Sequence, residues 1–143
     1  MSYDIYILDK KGKTIHVEEP HGIMGGTYCP NSTELWLNIT FNYGKIFRRE
    51  DVFGEKGILC LQGMTVKDAI PIVTEAWRAL KYDGGEEWTE RHNENGTVTL
   101  IGTARPTPKS YWDATDGNAK NALGDLGELL EMAPEDATID IRY

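Results

Sequence analysis

From Tyr3 to Leu8 apolar and polar residues alternate through side chains that favour extended backbone, which predicts a first strand. Asp9-Lys10-Lys11-Gly12 then turns the chain back into Lys13 to Val17, predicting a hairpin. Pro20 to Gly26 reads as a loop, Thr27 to Cys29 as a short strand and Pro30 to Thr33 as a turn. The most regular alternation follows, from Glu34 to Asn42. Leu35, Leu37, Ile39 and Phe41 fall on one face of that strand, and Trp36, Asn38, Thr40 and Asn42 on the other. Gly44 to Gly63 holds neither period, and its apolar Ile46, Phe47, Val52, Phe53, Ile58 and Leu59 predict a loop or short helix pressed on a core.

Helical spacing begins at Thr65. Val66, Ile70, Val73, Trp77 and Leu80 form one apolar stripe, with Thr65 as cap and Asp68 where a capping-box acid reaches back. Pro71 lies past the first turn and should kink or split this helix, which Gly84-Gly85 ends. Glu87 to His92 and Thr97 to Gly102 flank the turn Asn93 to Gly96, a second hairpin. Arg105 to Ser110, with Pro106 and Pro108, must be extended. A second helix is expected from about Asp116 to Met132, with Ala119, Ala122, Leu123, Leu126, Leu129 and Leu130 buried and Pro134 as its stop. Thr138 to Tyr143 alternates as a last strand. The order implies a single α+β domain, residues 1–143, in which two helices cover an antiparallel or mixed sheet.

Composition narrows the functional classes. A chain of 143 residues with 40% apolar side chains can bury a core without metal or disulfide staples. Its net charge of −8 argues against binding a nucleic-acid backbone, which demands a broad basic surface. The N-terminal MSYDIYILD is not a signal peptide, and no apolar run is long enough for a membrane span. Cys29 and Cys60 have no paired or metal-type spacing, which suits a reducing cytoplasm.

Within this acidic chain, Trp36 to Arg49 breaks the pattern. Trp36, Asn38, Thr40 and Asn42 share one face of a strand, although asparagine is disfavoured in strands, and Tyr43, Lys45, Arg48 and Arg49 follow without an acid among them. Amides read donor and acceptor edges, an aromatic face stacks on a planar ring, and arginine grips phosphate with a two-pronged fork. Against this stands the ordinary solvated face of a sheet. Pairing of the cations with Glu50, Asp51 and Glu55 is the alternative for the basic run. The glycines of His21 to Thr27 match no phosphate-loop fingerprint and are better explained by turns. Asp113, Thr115 and Asp116 are all competent caps for the second helix, but capping does not account for Tyr111-Trp112, Asn118 and Lys120. His16, His21 and His92 are tied to no nucleophile, and no metal-ligand spacing occurs, so neither a catalytic set nor a metal or other cofactor is expected.

The segments SYDIYILD, GGTY, WLNITFNYGKIF and YWDATDGNAKNAL together resemble a group of small, mostly uncharacterised proteins of bacteriophages and prophages. The resemblance implies a viral origin and action in the cytoplasm of a bacterial host. Small phage proteins of this size often counter host defence, either by binding a defence protein or by sequestering its nucleotide signal. No catalytic residues come with the group.

The combined expectation is a protein that sequesters a small anionic, nucleotide-derived ligand. Trp36, Asn38, Thr40, Asn42 and Tyr43 would contact base or sugar. Lys45, Arg48 and Lys120 would hold phosphate, Tyr28 and Trp112 would serve as walls, and Asn118 would complete the contact set. A homo-oligomer is compatible, since a pocket between subunits would complete a ligand cage. The alternatives are an acidic inhibitor of a host defence protein, including a DNA mimic, and a nucleotide hydrolase.

Overall fold

The alternation of Ser2 to Leu8 is realised in the central strand of a three-stranded antiparallel sheet. The computed structural model describes residues 1–23, 32–82, 88–102 and 112–143. Strand β1 (Ser2–Leu8) lies between β4 (Trp36–Thr40) and β7 (Thr138–Arg142). Ile5 faces Leu37 on one side and Ile141 on the other, while Tyr6 faces Trp36 and Asp140. This register sorts the side chains by face. Tyr3, Ile5, Ile7, Leu37, Ile39, Ile139 and Ile141 are buried on the inner face.

Two helices supply the opposing layer, so the chain is an α+β fold. Helix α2 (Val66–Ala79) and helix α3 (Asp116–Glu131) pack on each other and, with the inner sheet face, form one hydrophobic cluster. Thr65 caps α2 by accepting from Asp68 N, and Thr115 caps α3 by accepting from Asn118 N at 3.1 Å. Every member of the expected α3 stripe is buried. Helix α2 differs in two respects. It runs unbroken through Pro71, and it ends at Ala79 rather than at Gly84-Gly85. Its deepest residues are Val66, Ala69, Val73 and Ala76, leaving Ile70 and Trp77 half-buried at the margin.

The return arm of the first hairpin departs from expectation. Gly12 makes the turn at φ +77°, and Leu8 bridges Thr14, but the chain then leaves the sheet. Strand β2 (His16–His21) pairs with β3 (Ser32–Glu34) instead of β1, so residues 32–34 form a strand and not a turn. Buried His21 holds this ribbon, with its Nε2 bonded to the Glu34 carbonyl and its Nδ1 accepting from Ile23 N. Strands β5 (Trp88–His92) and β6 (Val98–Gly102) form the expected second hairpin, with Gly96 at φ +85° in its turn. Thr27 to Cys29 and Arg105 to Ser110 lie outside the described residues. No described helix is long and apolar enough to cross a membrane.

The long strand expected from Glu34 to Asn42 is divided. It breaks at Leu35 and stops at Thr40, whose hydroxyl accepts from Asn42 N and so starts a 3-10 turn, Phe41–Tyr43. Helix α1 (Gly44–Phe47) follows directly, and a second 3-10 turn covers Gly57–Leu61. Phe47, Ile58 and Leu61 from this region are buried in the core, the short-helix form of the expectation.

Candidate functional site

The strand break decides where the polar residues go. Trp36 and Asn38 remain on the outer sheet face, whereas Asn42 passes into the turn beyond it. Thr40 is buried and spends its hydroxyl on capping that turn, which takes it out of the expected contact set. Tyr43 is fully buried with its ring edge-on to Phe47, 6.0 Å between centroids, so it is a core residue rather than a surface contact. A side chain facing the sheet interior cannot meet a ligand in solvent, and the expectation for Tyr43 is corrected on that ground.

The outer face holds a cluster that the sequence does not announce. Asn38 Nδ2 donates to Ser2 Oγ at 2.7 Å and to Asp4 Oδ1 at 2.6 Å. Trp36 tilts against Tyr6 at 6.2 Å, and the Arg142 guanidinium sits 4.3 Å from the Tyr6 centroid. Arg142 Nε donates to Asp140, which also accepts from Gln62. These two bonds, that from Gln62 first, hold the Asp140 carboxyl below its ordinary range. Among the described residues, Trp36 Nε1 is the buried side-chain nitrogen without a hydrogen-bond partner. Residues Ser2, Asp4 and Tyr6 alternate in the sequence, but only the strand pairing places them beside Trp36 and Asn38.

The stretch from Trp36 to Arg49 and the approach to the second helix, which both combine aromatics, amides and cations, do meet. Asn42 Nδ2 donates to the Trp112 carbonyl oxygen at 2.8 Å. Further along the same segment, Arg49 Nη1 donates to both carboxylate oxygens of Asp116, at 2.9 and 3.0 Å. Arg49 also grips Asp51, through Nε at 3.0 Å and Nη2 at 2.8 Å. The segment 42–49 therefore runs beside the start of α3, fixed at both ends. The bonds to Asp51 and Asp116 raise the Arg49 pKa above the ordinary arginine range, and Arg49 in turn lowers that of Asp51. Of the three acids that follow the basic run in sequence, Asp51 is the one engaged by Arg49. Asp116, which occupies the positive end of α3, completes the pair.

Between the two fixed ends, Lys45 and Arg48 are exposed, and Trp112 is 52% exposed. Arg48 approaches two glycines closely. A Cβ on Gly57 would sit 3.1 Å from Arg48 Cγ, and one on Gly44 would sit 3.3 Å from Arg48 Nη1 and 3.2 Å from the Tyr3 hydroxyl. Gly57 has φ +60° as well. The arginine stem thus lies over one glycine and its guanidinium beside the other. Gly44 in the sequence is the signal for this close approach, but it acquires that meaning only through the turn that precedes it.

The remaining expected contacts are drawn elsewhere. Lys120 is buried and donates from Nζ to the carbonyls of Trp77 at 3.0 Å and Leu80 at 2.9 Å. Its ammonium also stacks on the Trp77 ring, 3.8 Å from the centroid, and on Tyr82 at 4.9 Å. It closes the C-terminal end of α2, where a cation is favoured beside the last carbonyls, and so is removed from the phosphate-holding set. Asn118 is buried and donates from Nδ2 to the Asp113 carbonyl at 3.0 Å, shaping the chain before α3. Tyr28 and Tyr111 lie outside the described residues. Among the described residues no group of His, Cys, Asp and Glu is gathered to hold a metal ion.

Compared with known proteins, the chain matches no protein-family model, no curated protein and no solved structure.

Proposed function

We propose that this chain is a phage-type binding protein that captures a small anionic, nucleotide-derived ligand between α1 and the start of α3. The Asn42–Trp112 hydrogen bond carries the reading, because it ties the chain that bears a half-exposed tryptophan to the segment that bears exposed Lys45 and Arg48, in a protein of net charge −8. In this arrangement Trp112 stacks on the base, Asn42 fixes the loop that presents it, and Lys45 and Arg48 take the phosphates. Arg48 suits that task because the bare backbones of Gly44 and Gly57 leave room for its side chain to lie close to the chain with its fork exposed. Asn38 and Trp36 belong to the separate outer-face cluster and are left out of this contact set.

Capture without turnover fits the neighbouring acids. Asp51 accepts hydrogen bonds from the Arg49 guanidinium, which holds its carboxyl below the ordinary range and leaves it a poor proton donor. Calorimetric titration of the purified chain with cyclic nucleotides and ADP-ribose, followed by chromatography of the recovered nucleotide, tests the reading. Saturable binding with unchanged nucleotide supports it. Absence of binding across the panel overturns it, and a cleaved nucleotide would favour hydrolysis.

A further inference from the structure

The turn of the second hairpin carries chemistry that the anion site does not use. Of the asparagines in the chain, Asn95 alone precedes a glycine. Asn95 and Gly96 are both exposed at the tip, between the paired strands β5 and β6. Gly96 sits at φ +85° and donates from its backbone nitrogen to the Asn93 carbonyl at 3.0 Å, while Asn93 N donates to Thr97 O at 2.9 Å.

The Asn95 carboxamide is held against this turn. Its Oδ1 accepts from Thr97 N at 3.1 Å and from the Thr97 hydroxyl at 2.6 Å. Bonding to the backbone two residues on keeps the carboxamide beside the intervening Gly96 peptide. The hydroxyl is itself fixed, because Thr97 Oγ1 accepts from Asn93 Nδ2 at 3.0 Å, and the same amide reaches Thr99 Oγ1 at 2.9 Å. Two donors on one carbonyl oxygen draw charge from Cγ and face the negative charge that an attack on Cγ would develop there. Gly96 has no side chain to obstruct such an attack by its nitrogen.

We propose that Asn95 is a site of spontaneous backbone modification, in which the chain supplies the nucleophile and water is the other reactant. When the bond from Gly96 N–H to the Asn93 carbonyl opens, the Gly96 nitrogen attacks Asn95 Cγ. The N–Cγ bond forms, the Cγ–Nδ2 bond breaks, and ammonia leaves with the Gly96 amide proton. Water then opens the resulting succinimide at either carbonyl, giving aspartate or isoaspartate. Both products put a carboxylate where a neutral amide stood. The isoaspartate also adds a methylene to the main chain, which breaks the register of the Asn93–Thr97 pairing.

Incubation of the full chain in mildly alkaline buffer, followed by peptide mapping in the mass spectrometer, tests this directly. The mass gain of NH replaced by O should accumulate on the peptide that carries Asn95 ahead of every other asparagine, with isoaspartate as the main product. Thr97→Val removes one donor at an exposed position, so the variant should melt with the parent and react about fivefold more slowly. Thr97→Ser keeps the hydroxyl and should restore the parental rate. No gain at Asn95, equal rates at the other asparagines, or a Thr97→Val rate that matches or exceeds the parent's would overturn the assignment.

Discussion

Asn42 and Trp112, 70 positions apart, are joined by one hydrogen bond of 2.8 Å from the asparagine amide to the tryptophan carbonyl. Arg49 and Asp116 repeat the link at the other end of the same stretch. Together they hold α1 against the start of α3, with Lys45, Arg48 and Trp112 all exposed near the junction's two segments.

Replacing Arg49 by alanine should loosen this junction more than it destabilises the fold. The Arg49 side chain is 40% exposed and that of Asp116 38%, so water screens the pair and the expected loss is only about 1 kcal/mol in urea unfolding. Arg49→Lys should recover little, because an ammonium cannot span Asp51 and Asp116 as the fork does. A loss of several kcal/mol would mean that Arg49 supports the core instead.

Tyr43 and Lys45 are near neighbours in sequence and should behave oppositely. Tyr43→Ala empties a fully buried site and should cost about 3–5 kcal/mol by chemical denaturation. Lys45→Ala removes an exposed side chain and should fall within about 0.5 kcal/mol of the parent. Similar costs for the two would contradict the assignment of one to the core and the other to the surface.

Much of the core is legible in the order of the residues, and part of the site is not. The period of two correctly places Leu35, Leu37 and Ile39 in the core, and the period near 3.6 does the same for the α3 stripe. Periodicity fails where one hydroxyl changes the backbone. Thr40 looks like a strand residue, but it caps a turn and thereby sends Asn42 outward and Tyr43 inward. Lys120 misleads for a related reason. Its neighbours in sequence are the polar residues at the start of α3, while its partners are carbonyls at the end of α2, some 40 positions away. Pairings over such distances, including Tyr6 with Trp36 and Arg142, depend on strand register that no local pattern records.

Lys120→Met tests the buried cation. The thioether keeps most of the stem and loses both hydrogen bonds to the α2 carbonyls, so the variant should lose about 2–4 kcal/mol of stability in urea unfolding. Retention of parental stability would show that the carbonyls find other partners at no cost.

Stability at low pH should depend on Asp140. Its folded pKa lies below the ordinary aspartate value of 3.8, so the native state favours the carboxylate. The contribution is complete above that value and is lost as pH falls through the lower, folded pKa. Asp140→Asn should therefore flatten the fall of stability with acidification in this window. An identical slope in parent and variant would sever the link between Asp140 and its bonds from Gln62 and Arg142.

The central claim, that α1 and the start of α3 form one anion site, is tested most directly by the affinity of Lys45→Ala/Arg48→Ala for the nucleotide that binds the parent best. Two lost charge-assisted contacts predict a fall of about 100-fold or more at constant salt, with little change in melting temperature because Lys45 and Arg48 are exposed. Parental affinity in the double variant would contradict the account.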